Sequence, residues 1–279
     1  MRIEELTASV KEIPALPAVT TRVLQLTDDP ESTVRDLNDV IAQDQSLTAK
    51  VLRLANSAYY GFQRRISSVS EAIVLLGFST IRSLVLAASV YNLLGRPLAG
   101  YALEPGELWK HSQASAMTAR LLAQRVKYRH VEQAYTAGLL HDIGKLIMSH
   151  HLQKQYQEVV DKVRREALPF TEVEEQLLGY NHATVGARVA QKWNLPADLV
   201  ETIELHHQPA FSKKNLVLSS ITHVADAICM SMGIGLGIDG MYYTFDAKAM
   251  ETLGLKEDDI EQIMSKVIDS LSDGEALLA

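Results

Sequence analysis

Nine histidines are spread along this chain, and the spacing of some of them to acidic residues is what could do chemistry. His141 and Asp142 stand side by side at the polar end of an apolar run, Ala134 to Leu140, with Gly144 and Lys145 directly after. Adjacent helical residues point about 100° apart. Where a helix ends, however, one metal ion can take both side chains, and two neighbouring ions can share the aspartate. Glu107 and His111 lie upstream, four residues apart and so on one side of one helix. His182, the pair His206-His207 and Asp226 lie downstream.

Imidazole nitrogens and carboxylate oxygens make a mixed set that suits transition metals better than Ca, and thiolate is absent from it. Fe or Mn heads the choice, with Ni or Zn as alternatives. The carboxylates Glu107, Asp142 and Asp226 over-neutralise one divalent ion and suit two. Two ions roughly 3.5–4 Å apart activate a water and hold a phosphate between them. Any one of these histidines alone would be an ordinary half-buried, hydrogen-bonded side chain; the joint arrangement carries the reading. His150-His151 fit a solvated helix end. His223 fits a pairing with Asp226, three residues on, as well as a place beside a metal.

The elements that must position these groups read as helices throughout. A short first helix ends at Pro14 and Pro17, and Val19, Val23, Leu24 and Leu26 form the next stripe. Ser32 or Thr33 caps a helix whose buried face is Val34, Leu37, Val40 and Ile41, and Asp44 caps another that ends at Asn56-Ser57-Ala58-Tyr59-Tyr60-Gly61. Asn56 and the tyrosines there fit either a ligand contact or a helix end with aromatic packing. Ser68 with Glu71 forms a capping box. The helix it starts ends at Gly77, and another runs from Ser79 to Leu94.

Arg96 to Gly100 is the linker candidate. A helix from Pro105 to about Val126 carries Glu107 and His111, and one from Val131 to Met148 carries the His-Asp pair. Thr171 and Glu174 form a second capping box, and Asn181 caps the helix that opens on His182. Pro196 starts the one reaching His206-His207, and Leu216 to Met232 carries His223 and Asp226. The glycines of the loop from Gly233 to Gly240 lack the preceding strand and following Gly-Lys-Ser/Thr of a phosphate loop. The tail from Asp246 holds two amphipathic helices and a frayed end, Glu275 to Ala279. No strand and no internal repeat is expected.

Bulk properties narrow the class. The 279 residues are 47% hydrophobic and 22% charged, with a net charge of −7. That balance argues against nucleic-acid polymers and anionic membranes as partners. The single Cys229 excludes an intrachain disulfide and fits a reducing cytoplasm. The apolar stretch Ala72 to Leu94 contains Ser79, Thr80, Arg82 and Ser83, and reads as buried helices, not a membrane span.

The ordered set Glu107, His111, His141-Asp142, Lys145, His182, His206-His207 and Asp226 resembles the HD superfamily of metal-dependent phosphohydrolases, in particular the ligand pattern of the HD-GYP cyclic-dinucleotide phosphodiesterases. The N-terminal half resembles the HDOD (HD-related output domain) family. That likeness rests on Ile13 to Pro17, Ile41 to Asp44, Leu52 to Gly61 and Ser68 to Gly77. It implies an all-α fold, with an N-terminal HDOD helical subdomain over residues 1–96, an HD-type metal-binding bundle over 101–240 and C-terminal helices over 241–279.

The resemblance further implies a primary ion held by His111, His141, Asp142 and Asp226. A second would be held by Glu107, His182, His206 and His207, with Asp142 bridging. Lys145 would face a phosphate; as a bare sequence position it equally fits an exposed helix-end lysine. The Gly-Tyr-Pro motif of the phosphodiesterases is missing after His206-His207, where Gln208-Pro209-Ala210 follow.

Three functions stand against one another. The first is a cytoplasmic module of bacterial signal transduction that keeps its metals and answers to signalling proteins or a nucleotide second messenger. The second is a metallophosphohydrolase of a nucleotide or cyclic dinucleotide, with Asp142 and Lys145 as catalytic residues. The third is a di-iron oxygenase or redox sensor. The chain shows no receiver, cyclase or DNA-binding segment, so regulatory input is expected from another polypeptide or a small ligand.

Overall fold

A computed structural model describes residues 15–166, 168–237 and 245–274. The expected first helix before Pro14, the end of the glycine loop at Gly240 and the expected frayed tail lie outside these residues. The described residues contain no strand, only an isolated antiparallel bridge between Leu98 and Leu103; the rest of the regular structure is helical, as expected. The chain divides into two units. One is Leu16–Tyr91 with the residues from Ser265 on, the other Asn92–Met264.

In the first unit, α1 (Ala18–Asp28), α2 (Val34–Ile41), α3 (Gln45–Ala55) and most of α4 (Val69–Leu94) follow the apolar stripes. Of the two candidate caps of α2, Thr33 is the one used. Its hydroxyl accepts from the Asp36 N–H while Asp36 reaches back to the Thr33 N–H at 2.9 Å. Asp44 accepts from the Leu47 N–H at 2.9 Å. Asn56 is spent on backbone. Its amide donates to the carbonyls of Leu52 and Ile66 and accepts from the Ile66 N–H at 2.7 Å, clasping the intervening loop against the end of α3. Tyr59 and Tyr60 pack edge to face. This is the helix-end reading of that stretch.

The box at Ser68 forms with a shift: Ser68 accepts from the Glu71 N–H, but the Glu71 carboxylate accepts from Ser67. Gly77, at φ 81°, breaks α4 where a stop is expected, and the helix resumes at once. Among the described residues α4 is the one helix long and apolar enough to cross a membrane. Its Arg82 is tied to the C-terminal end of α1 through the Leu24 carbonyl, Thr27 and Asp28.

The second unit contains α5 (Glu107–Arg125), α6 (Val131–Leu140), α7 (Lys145–Gln153), α8 (Tyr156–Glu166), α9 (Phe170–Leu178), α10 (His182–Lys192), α11 (Ala197–Leu205), α12 (Leu216–Ser231) and α13 (Ala247–Leu253). The last helix, α14, spans Glu257–Gly274. The segment read as a linker is packed. The Gly100 N–H donates to the Ser149 hydroxyl, a Cβ there would stand 2.3 Å from the Ser149 carbonyl oxygen, and Tyr101 is fully buried.

The single helix expected from Val131 to Met148 is two. Bonds from the N–H of Ile143 to the Leu140 carbonyl, and of Lys145 to the Asp142 carbonyl, tighten the backbone to an i→i+3 pattern across the His-Asp pair. α5 and α6 touch where a Cβ on Gly138 would lie 2.6 Å from the Ser115 carbonyl oxygen. Cys229 is a buried helix cysteine, its thiol pushed up to about 11 by burial.

Candidate metal centre

His141 and Asp142 begin the turn after α6, and His206 and His207 directly follow α11. His182 opens α10, capped by Asn181 through the Thr184 N–H at 2.9 Å. His111 lies one turn into α5, and Asp226 in the middle of α12. All of these belong to the second unit, and all but the half-buried His207 are buried.

Their ring nitrogens and carboxylate oxygens converge in overlapping groups: His111, His141 and Asp226; His141, Asp142 and His206; His182, His206 and His207. The His111 Nε2 lies 3.0 Å from Asp226 Oδ1 and 3.3 Å from His141 Nε2. Asp142 faces both sides. Its Oδ2 is 3.4 Å from His141 Nε2 and 3.6 Å from His111 Nε2. Its Oδ1 is 3.3 Å from His182 Nε2 and 3.9 Å from His206 Nε2.

The tautomers follow from the partners. Nδ1 of His111 meets the Ile234 carbonyl, that of His141 the Gly138 carbonyl and that of His206 the Ile203 carbonyl, at 3.0, 2.8 and 2.7 Å. A carbonyl only accepts, so each Nδ1 carries a proton and each Nε2 is the nitrogen that faces inward. His182 does the same through Glu174 Oε2 at 2.8 Å. The result is how ligand imidazoles are held when an outer partner fixes the ring. His206 Nε2 is buried with no hydrogen-bond partner at all. A buried acceptor left bare costs about 1–3 kcal/mol, and a cation would satisfy it. On that observation the residues fit a metal.

The electrostatics agree. Burial works against charge on His141, but Asp142 and Asp226 outweigh it and hold the imidazole up at about 10. Burial is likewise overcome at His182 by Glu174 and Asp142, to about 9. Asp142 and Asp226 stay well below the usual carboxylate range despite burial, through His141 with Lys145 and His111 respectively. Burial, and then the neighbouring imidazoles, keep His206 and His207 neutral. The cluster is a place where positive charge is stabilised and protons stand where metals could.

Glu107 is not brought to this cluster. It is the first residue of α5, and its carboxylate turns to Lys110 in the same turn, at 3.2 Å. Lys145 is buried, with Nζ 2.6 Å from Asp142 Oδ2, and so is no exposed helix-end lysine. His223 does not pair with Asp226: its Nδ1 donates to the His206 carbonyl and its Nε2 accepts from the Asp246 N–H. His130 and His150 are exposed, and His151 is half-buried.

Two residues of the centre's surroundings were missed by sequence reasoning. Glu174 is fully buried and holds no cap; it accepts from the His182 N–H, from His182 Nδ1 and from the Tyr101 hydroxyl. A signal existed. Glu174 sits on the same face as Phe170, Val173 and Leu178, so it is a carboxylate at a core position of an apolar stripe. Tyr101, one residue past the linker candidate, offered none.

The HDOD domain profile matches residues 13–209. An HDOD domain protein of unknown function from Geobacter sulfurreducens superposes with a TM-score of 0.78 at 28% identity, covering 98% of this chain and 95% of that one. A protein from Shewanella amazonensis SB2B, provisionally named a phosphohydrolase, gives 0.74 at 27% identity, covering 98% and 96%. An uncharacterized protein of Treponema pallidum (strain Nichols) is 26% identical over 199 residues, 71% of this chain. The chain spans only 38% of that relative's length.

Proposed function

The chain belongs to the HDOD domain family, and from that premise we propose that it is a signal-transduction module built around a binuclear centre of divalent transition metals. The observation that carries this is the bare, buried Nε2 of His206 beside an Asp142 whose two oxygens face different ligand groups. His111, His141, Asp226 and Asp142 Oδ2 would hold one ion; His182, His206, His207 and Asp142 Oδ1 the other. Glu107 takes no part in this reading.

Closure of the site favours the regulatory role. Six of the seven ligands are almost fully buried, and Lys145 lies against Asp142 instead of reaching outward. Loading and emptying such a centre changes the charge of the helix ends that meet there, which a partner protein or a nucleotide second messenger can read.

A second reading, metal-dependent phosphohydrolysis, is favoured by the intact ligand set and by the likeness to the Shewanella protein. Two ions would there supply an activated water and charge for a phosphate. This chain's residues would orient the ligands through their Nδ1 anchors, and Lys145 would hold Asp142 ionised.

Elemental analysis of chelator-free protein beside the His141→Ala/Asp142→Ala variant tests both. Two transition-metal ions per chain, absent from the variant, are expected. A wild-type chain that stays empty after reconstitution overturns both. Turnover of an aryl phosphodiester that vanishes in Asp142→Ala decides for the second reading.

A further inference from the structure

The two halves of the centre are charged unequally. The half with His111 and His141 has Asp226 to itself and one oxygen of Asp142. The half with His182, His206 and His207 consists of imidazoles and Asp142 Oδ1 alone, while the Lys145 ammonium sits on Oδ2, the oxygen of the other half. The ligands of this histidine-rich half bring less negative charge to a divalent ion than those of the half that holds Asp226. One carboxylate touches this half without facing its interior: Glu174, on α9, whose Oε2 receives both the N–H and the Nδ1–H of His182. Its other oxygen accepts from the fully buried Tyr101 hydroxyl. Three donors thus converge on one buried carboxylate. The Tyr101 ring also stands edge-on to His182 and 5.6 Å from the Lys145 Nζ.

We infer that Glu174, braced by Tyr101, is a positioning residue that supplies the charge holding an ion in the histidine-rich half. The inference rests on the binuclear reading and adds a residue that touches no ion. A carboxylate behind a ligand imidazole fixes the ring and raises its basicity, and losing such a partner costs about 10–100-fold in metal affinity. The effect is local. His111 and His141 are anchored by the carbonyls of Ile234 and Gly138, which Glu174 does not touch.

The test uses Glu174→Gln in the full chain. A glutamine oxygen can accept from His182, and its amide can donate to the Tyr101 oxygen, so the bonds survive while the charge goes. Chelator-stripped wild type, Glu174→Gln and Tyr101→Phe are titrated with Mn²⁺ by equilibrium dialysis, and the spin coupling of paired Mn²⁺ is followed by EPR. The wild type is expected to bind two coupled ions. Glu174→Gln should bind one, uncoupled, at the same free Mn²⁺, its second site weakened about 10–100-fold. Tyr101→Phe should hold two, the second about tenfold weaker.

Two ions bound to Glu174→Gln with wild-type affinity overturn the inference alone. Loss of both ions overturns it too, by showing that the effect is not confined to one half. Should Glu174→Gln lose its helical circular dichroism, Tyr101→Phe decides, an unchanged second site counting against the inference. A wild type that binds fewer than two ions overturns the binuclear reading itself.

Discussion

Metal binding to this centre should be strongly pH-dependent, because two protons occupy ligand positions. His141 is held up at about 10 and His182 at about 9 in the metal-free protein, each against the cost of burial. Both must lose their Nε2 proton before a cation can take the lone pair. At pH 7.5 that costs a few kcal/mol for the pair together, at about 1.4 kcal/mol for each unit between the pH and a group's own value. The carboxylates are already ionised and His206 already neutral, so they add no protons.

The overall constant for binding both ions should therefore rise about 100-fold for each unit of pH between 6.5 and 8.5, about tenfold for each ion, because each site displaces one proton. Competition titration with Mn²⁺ at three pH values gives the slope. Calorimetry in buffers of different ionisation enthalpy counts the protons released, with about two expected. An affinity flat across this range, with no buffer-dependent heat, refutes the reasoning, for it would mean that the two imidazoles are neutral before the metal arrives.

The same protons set the stability of the chelated protein. A histidine raised on folding stabilises fully below its unfolded value of 6.5 and loses that contribution as the pH rises through about 9–10. Thermal unfolding of the chelated chain should fall in that window, and the Mn²⁺-loaded chain should not follow it. Gly144→Ala would place a Cβ 1.9 Å from the His182 carbonyl oxygen. Backbone has to move there, so a loss of at least about 3 kcal/mol is expected by urea denaturation, together with weaker metal binding. Asn56→Ala strips three bonds and leaves the Ile66 N–H and carbonyl without their partner, for about 1–3 kcal/mol, read as an earlier urea midpoint.

Much of this organisation is legible in the sequence because it is local. Asp44 and Asn181 announce caps by their distance from an apolar stripe, and Gly77 a break by its backbone freedom. The convergence of His111, His141, His182, His206, His207 and Asp226 could be expected from residue type and order, since each stands near a helix end or on an inward face. What was illegible depends on contacts distant in sequence. Glu174 fits a Thr-x-x-Glu cap as well as it fits a buried anion; only the approach of His182 and Tyr101 decides. Glu107 has the right i,i+4 spacing to His111, but the spacing says nothing of Lys110 competing for it. Lys145 turns inward because Asp142 offers it a charge that solvent cannot match. The split of the expected Val131–Met148 helix follows from an i→i+3 turn that no residue preference advertises.

His141 and His206 share a placement: each is the first residue beyond a helix, and each bonds a carbonyl three residues back in that helix. The carboxyl ends of α6 and α11 therefore converge on one spot. Each end carries the equivalent of about half a negative charge, so the scaffold presents a negative potential there before any side chain is counted. A descendant that traded its histidines away would keep that potential, because it is written in the main chain. It would be a ready seat for an ammonium or guanidinium group, and Lys145 already stands at its edge.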